Sequence, residues 1–329
     1  MADRILILPG DGAGPSVLGS VREIISVCSE GLEFVEGSVG RSAYEETGSF
    51  LPHETIGLTE ECQAILCGPI DLSSAAGKVK DPIVTLRMKM DLYAMCKHFR
   101  TLADDLGKPD VDTMLWFCSP VPGRDVVETE ELDGFTLTKY VRKSSYTRMM
   151  IRAMNCSEKE HRKNVECITS SVFPESSAMF AECFRDVFGT GYFDMSEEET
   201  ERWAAFAVRK TRSRGTVICA DLFGRTAGGI LAGLTGGNHL SPNTYFGDSV
   251  LLSETGMIGA KDPEYANPTS AVIGGCIALS DLGRVQESES IIDALCKTYR
   301  AGERTPDTGG NLTVEEFTDR IIRRLRGFL

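Results

Sequence analysis

Nowhere in its 329 residues does this chain approach the roughly 20 consecutive apolar residues of a membrane-spanning helix, so no such helix is expected. The opening Met1-Ala2-Asp3-Arg4 runs straight into a strand-like segment without the layout of a signal peptide, and the expected location is the cytoplasm. Histidine is scarce. His53, His98, His161 and His239 are scattered with no nucleophile motif beside them, and they read as surface or cleft-edge residues. There is no basic excess either: 35 Lys and Arg stand against 48 Asp and Glu, and the basic residues are interspersed among the acidic ones. A net charge of −13 repels phosphate backbones, which argues against nucleic acid as a partner. The 11 cysteines include no CxxC pair. They lie mostly inside apolar runs, as in Ile218-Cys219 and Gly275-Cys276-Ile277, so they read as small buried hydrophobes of a reducing compartment, with neither a zinc site nor a disulfide framework. Internal repeats and low-complexity segments are absent as well.

What is there is the composition of an ordinary globular protein, 42% hydrophobic and 25% charged, large enough for one big core or two joined through a shared sheet. Residues 4–8 are strand-like, a Gly/Pro turn follows, and residues 17–27 carry helical spacing. Further β-type runs at 64–66, 114–118, 135–141, 165–168 and 217–219 alternate with helical stretches at 88–100, 178–187, 197–210 and 291–299. The pattern predicts an α/β fold with a large sheet and helices on both faces. Ser157-Glu158-Lys159-Glu160 has the form of a capping box, and Gly309-Gly310 before Thr313-Val314-Glu315-Glu316 marks a loop feeding a last helix that ends near Phe328.

Leu8-Pro9-Gly10-Asp11-Gly12-Ala13-Gly14-Pro15 follows the first strand as a glycine-rich turn whose spacing is not that of the dinucleotide fingerprint. Four more segments follow it in order. They are Leu86-Arg87 through Asp91-Leu92-Tyr93-Ala94, then Tyr140-Val141-Arg142, then Leu222-Phe223-Gly224 through Gly236-Gly237, and Tyr265-Ala266-Asn267-Pro268. With the tail Arg304-Thr305-Pro306-Asp307-Thr308-Gly309-Gly310, the set resembles the isopropylmalate and isocitrate dehydrogenases, the β-decarboxylating dehydrogenases, over nearly the whole chain. The resemblance implies a two-domain α/β fold: a discontinuous large, cofactor-side domain (residues 1–98 plus 241–329) and a central dimerisation domain (99–240). It also implies a homodimer with the active site between the domains.

In that family three basic positions grip the substrate carboxylates, and they align with Arg87, Lys97 and Arg142. Lysine keeps the charge but not the planar fork of arginine. These three also read as surface cations beside Asp81, Asp91 and Glu131. The family holds Mg²⁺ or Mn²⁺ with two aspartates one helical turn apart and a third from the other subunit, as hard cations require. The matching positions here carry Arg225, Gly229 and Glu201. One carboxylate and one guanidinium do not make such a site, so a divalent metal is not expected. Arg225 is instead read either as a fixed cation with a catalytic role, facing a substrate oxygen, or as half of an interface pair with Glu201.

The family's catalytic lysine falls on Pro174, which has no proton to give but suits the first turn of a helix. The tyrosine that protonates the enol falls on Met149 when counted without gaps. If the arm after Arg142 is deleted, the displaced substitute is Tyr146, and the dimer interface is smaller or rebuilt. For NAD or NADP the resemblance implies contacts from the Asp11, Gly12, Ala13 turn and from Asn267, while the adenosine-side loop matches at its ends and differs in its middle, where Lys261 and Asp262 stand. Three readings follow. The chain is a divergent binder of a small di- or tricarboxylate that has lost metal-dependent oxidative decarboxylation, or an active enzyme with a rebuilt metal-free site (an NAD(P)-linked 2-hydroxy acid dehydrogenase, a decarboxylase or a lyase), or a non-catalytic subunit assembled with an active homologue.

Overall fold

The structure is a computed structural model that describes residues 3–73, 79–119, 125–209, 215–256 and 262–327, and only the backbone of Asp221. Lys210 and Lys261 lie outside the described residues.

The chain opens with β1 (Asp3–Leu8), α1 (Gly14–Cys28), β2 (Leu32–Glu36), α2 (Arg41–Thr47), α3 (His53–Glu60), β3 (Ala64–Cys67), α4 (Pro82–Lys89) and β4 (Ala94–Arg100). Then come β5 (Asp112–Cys118), the hairpin β6 (Val126–Glu131) and β7 (Gly134–Lys139), α5 (Lys143–Lys159), β8 (Asn164–Thr169), α6 (Pro174–Phe188), β9 (Asp194–Glu199), α7 (Thr200–Arg209), β10 (Gly215–Cys219) and α8 (Asp221–Leu234). The last elements are β11 (Asn243–Phe246), β12 (Leu251–Glu254), α9 (Thr269–Asp281), α10 (Val285–Arg300) and α11 (Val314–Leu325).

Ten strands form one sheet in the order β2-β1-β3-β12-β11-β4-β5-β10-β8-β9. Its two wings are parallel, and the pairs β12–β11, β11–β4 and β4–β5 in the middle are antiparallel. Continuous apolar strands such as Ile5-Leu6-Ile7-Leu8, buried throughout, are what a parallel sheet covered on both faces demands. On one face α1, α5, α6, α9, α10 and α11 enclose a single core that runs the length of the sheet. On the other face two smaller cores stand side by side, one under Ile65, Leu86 and Leu252, the other joining β5 and β10 to α7 and α8 through Phe117, Trp203 and Leu231. A cleft lined by Arg87, Arg225 and Tyr245 opens on this second face.

Several expectations need correction. Of residues 88–100 only the first two are helical: α4 ends at Lys89, Asp91 takes a left-handed φ of 49°, and the chain turns into β4, whose partners are β5 and β11. The apolar spacing of Leu92, Met95 and Phe99 imitates a helical stripe, but long-range pairing decides the conformation. The helix expected from residue 197 starts at Thr200, because residues 197–199 complete the edge strand β9. Ser157 does not cap a helix. It sits in the last turn of α5 with its hydroxyl donating to Ala153 O at 2.8 Å, whereas the reciprocal capping box is formed by Thr313 and Glu316 at the start of α11. Pro174 does occupy the first turn of α6. His98 is no surface residue; it is 6% exposed inside an ion network described below. The chain enters α5 directly after Arg142, yet an exposed hairpin, β6–β7, stands just before it.

Candidate ligand cleft

Two guanidinium groups from different elements line one open cleft of about 720 Å³: Arg87 from the last turn of α4 and Arg225 from near the start of α8. α8 approaches the sheet closely because residue 224 is glycine, where a Cβ would lie 2.5 Å from the ring of Phe117. The rest of the polar wall is Asp81, Glu128, Tyr245 and Glu254. Asp81 caps α4, accepting from the Ile83 N–H at 2.8 Å, so its backbone anchors the helix that presents Arg87. Arg87 is 8% exposed, with its guanidinium 4.6 Å from the centroid of the Tyr245 ring. Burial lowers its pKa, Tyr245, Glu254 and Asp81 oppose that shift, and Arg225 adds to it.

Glu254 ends β12 as an acid after the apolar Leu251-Leu252. Burial raises its carboxyl pKa; weak bonds from Asn243 Nδ2 at 3.4 Å and the Tyr245 hydroxyl at 3.5 Å only partly offset this. It shares its wall with two arginines.

Lys97 stands on β4 with Nζ 3.2 Å from Asn238 Oδ1 and 5.5 Å from the Phe99 ring centroid. Burial lowers its pKa, Glu254 works against that, and Arg225 reinforces it, so the three groups share one electrostatic field. Arg142, at the N-cap of α5, lines a separate small cavity of about 80 Å³ together with Arg87 and Tyr146. Arg87 therefore belongs to both spaces and links them. Tyr146 is 3% exposed and packs edge-on against Phe180, with ring centroids 4.7 Å apart, so most of the ring is core. Glu201 is exposed in the first turn of α7.

The turn after β1 is held by its own aspartate. Asp11 accepts from the backbone N–H groups of Arg41, Ser42 and Asp71 at 2.9, 3.2 and 2.7 Å, which caps α2 and ties three loops together. Gly12, at φ 60°, has open space around it, and Ala13 precedes α1 as its N-cap. Asn267 is equally committed: it donates to Tyr299 Oη and Asp307 Oδ2, both at 3.0 Å, and accepts from the Thr269 N–H at 2.9 Å. A dinucleotide would thus meet backbone at the turn and structural side chains at Asn267. Asp11 and Asn267 offer it no uncommitted side-chain groups.

A divalent cation fits the cleft poorly. A hard cation wants converging oxygens, whereas the cleft presents Arg87 and Arg225, and among the described residues no three His, Cys, Asp or Glu side chains come together as metal ligands would. Asp248, an obvious substitute ligand, is gripped by the fork of Arg148, with Nε–Oδ1 at 3.1 Å and Nη2–Oδ2 at 2.6 Å. Arg148 also bonds Asp91 at 2.5 Å and lies 3.8 Å over the Tyr93 ring. Burial, with Asp248 next, raises the Tyr93 hydroxyl to about 12. Sequence reading overlooked Glu254, Tyr245 and Arg148. Only Glu254 left a signal, a lone acid at the carboxyl end of a strand, where open α/β sheets place their ligands.

The isocitrate/isopropylmalate dehydrogenase family model matches residues 4–114 and 121–321. The chain is similar to the 3-isopropylmalate/3-methylmalate dehydrogenase of Methanocaldococcus jannaschii, 26% identical over 98% of this chain and 99% of the relative. It is also 26% identical to the isocitrate/homoisocitrate dehydrogenase of Thermus thermophilus, over 99% of each. Among solved structures, the isocitrate dehydrogenase from Methylococcus capsulatus superposes with a TM-score of 0.84 at 22% identity, covering 98% of this chain and 99% of that one, a likeness of fold.

Proposed function

From the premise that this chain belongs to the isocitrate/isopropylmalate dehydrogenase family, we propose that it binds a small di- or tricarboxylate in the cleft of Arg87 and Arg225 without a divalent metal, and that metal-dependent oxidative decarboxylation has been lost. The observation that carries this reading is Arg225, a guanidinium in the wall of the ligand cleft. Arginine offers a carboxylate two parallel N–H donors and keeps its charge at every physiological pH, so it replaces the electrostatic pull of a metal on an anionic ligand. Lys97 adds charge from β4, and Arg142 extends the cationic path through the small cavity that Arg87 shares.

Within this reading the residues of the chain bind and orient the ligand. Arg87 is fixed by its burial and by the Tyr245 ring, so little side-chain freedom is lost on binding. NAD or NADP, if bound, would supply hydride chemistry along the Asp11–Ala13 turn. The protein is proposed to act in the cytoplasm as a homodimer. The exposed hairpin β6–β7 carries Leu132, Phe135 and Leu137 into solvent, the kind of apolar surface a partner covers.

A second reading rests on Glu254. A carboxyl whose pKa burial raises, in a wall with two arginines, is placed to act as a general acid in a rebuilt, metal-free site. Calorimetry with isocitrate and 3-isopropylmalate, paired with a nicotinamide-absorbance assay, separates the two. The first reading expects binding that weakens by about 10- to 100-fold in Arg225→Gln, the worth of one charge-assisted bond, and no reduced nucleotide. Unchanged affinity in Arg225→Gln would count against it, and turnover would favour the second.

A further inference from the structure

We propose that a second pocket, on the sheet face opposite the cleft, binds a free amino acid. A cavity of about 370 Å³, in the size range of small-molecule sites, lies between α9, α10 and the far side of β4. It is distinct from the cleft: Lys97 and His98 are consecutive on β4 and therefore point to opposite faces, His98 into this cavity. Its floor is rigid, because His98 and Glu160 belong to the network of bonds around the fully buried Arg162.

The lining carries both signs of charge. Arg100 pairs with Asp112 at 2.6 Å through one terminal nitrogen, while its Nε is buried without a hydrogen-bond partner. Arg300 lines the cavity from the last turn of α10, and its side chain makes no bond among the described residues. A buried N–H without a partner and an unpaired guanidinium at one cavity make a carboxylate subsite. On the same stripe of α10, Glu289 and Asp293 stand one turn apart; Asp293 pairs with Lys297 at 2.8 Å, and the remaining lone pairs of the two carboxylates can accept from an ammonium group. Arg300 is seven residues from Asp293, about 10 Å along the helix axis, and the length of the arginine side chain closes most of that gap. With Arg162 on Glu160, Asp112 on Arg100 and Lys297 on Asp293, the charges around the cavity nearly balance, which opposes a multiply charged anion and suits a zwitterion. Ile277 and Ile292 give the aliphatic part of an amino acid an apolar wall.

The test is calorimetry and thermal-shift titration of the full chain with L-leucine and L-methionine, and with isovalerate and 3-methylbutylamine, which each keep one of leucine's two charges. The expected result is saturable binding of at least one amino acid, at least about tenfold weaker binding of both half-charged analogues, and a similar loss in Arg300→Gln. Arg300→Gln removes an exposed, unpaired side chain and should fold normally; Ser280→Trp, which fills the cavity, should abolish binding. The proposal is overturned if neither amino acid binds at about 10 mM, if isovalerate binds as well as leucine, if both variants bind as the parent does, or if isocitrate competes with the amino acid, which would place it in the cleft.

Discussion

Replacing Arg162 by methionine should cost more stability than any surface change, and the structure gives the size of the effect. The side chain is 0% exposed and donates to Glu160 at 2.7 Å, to Asp112 Oδ1 at 2.7 Å, and to the carbonyls of Asp112 and Gly215 at 3.3 and 3.4 Å; His98 Nε2 lies 3.0 Å away. Methionine fills the volume but takes the central cation from two carboxylates, Asp112 and Glu160, 16% and 15% exposed, while Arg100 stays on Asp112 at 2.6 Å. Breaking a buried ion pair from one side costs about 3–5 kcal/mol, because the orphaned charge stays buried. With an unfolding entropy of about 2.1 cal/mol/K per residue over 329 residues, that is a fall in Tm of about 4–7 °C. Differential scanning calorimetry measures it. Adding Glu160→Gln to the same chain should recover part of the loss, since the charge of Glu160, which has lost its bond to Arg162, is then removed and Asp112 keeps Arg100. A loss below about 1 kcal/mol, or a double variant worse than the single by the full sum of its parts, would refute the view that Arg162 neutralises this network.

The same network sets an acid limit. Burial lowers the pKa of His98, so from about pH 6.5 downward the unfolded chain takes a proton that the folded one refuses, and stability falls. Burial alone would raise Asp112 and Glu160, but Arg162 and His98 together, with Arg100 at Asp112, outweigh it and hold both below the usual carboxylate range, so their stabilisation is present above about pH 4 and is lost as pH falls further. Urea midpoints should therefore drop from pH 7.5 to 5.5 and again below pH 4, and a flat profile would exclude this account. Asp11→Ala should cost about 2–3 kcal/mol in urea unfolding, because three backbone N–H groups lose their acceptor and α2 its cap; a change under about 0.5 kcal/mol would show those bonds to be dispensable.

The parts of the fold legible in the sequence are those where local pattern and tertiary pairing agree. β1, β5, β8 and β10 are apolar runs that only a doubly covered sheet can bury, and α1, α6 and α10 carry clean stripes. The stretch that became β4 misled because Leu92, Met95 and Phe99 imitate a helical stripe; its strand character lies in pairing with β5 and β11, which no local window contains. β9 was hidden by its acids: Asp-Met-Ser-Glu-Glu-Glu looks unlike a strand, yet as the outermost strand it pairs on one side only, and charge on an edge deters further pairing. His98 and Arg162 become one site only when β4, β5 and the loop before β8 meet, so no spacing rule could have joined them. The cleft was partly legible, since the alignment placed Arg87 and Arg225 together. It did not reveal that Asp11 and Asn267 spend their side chains on the fold, or that Glu254 completes the wall.

The central claim is that the cleft grips carboxylates with arginines and not through a metal. Calorimetric titration of the protein with isocitrate, once in EDTA and once in saturating Mg²⁺, tests it most directly. The account predicts binding in EDTA with an affinity that Mg²⁺ does not raise. Binding that appears only with Mg²⁺, or that strengthens by more than about tenfold when it is added, would contradict it.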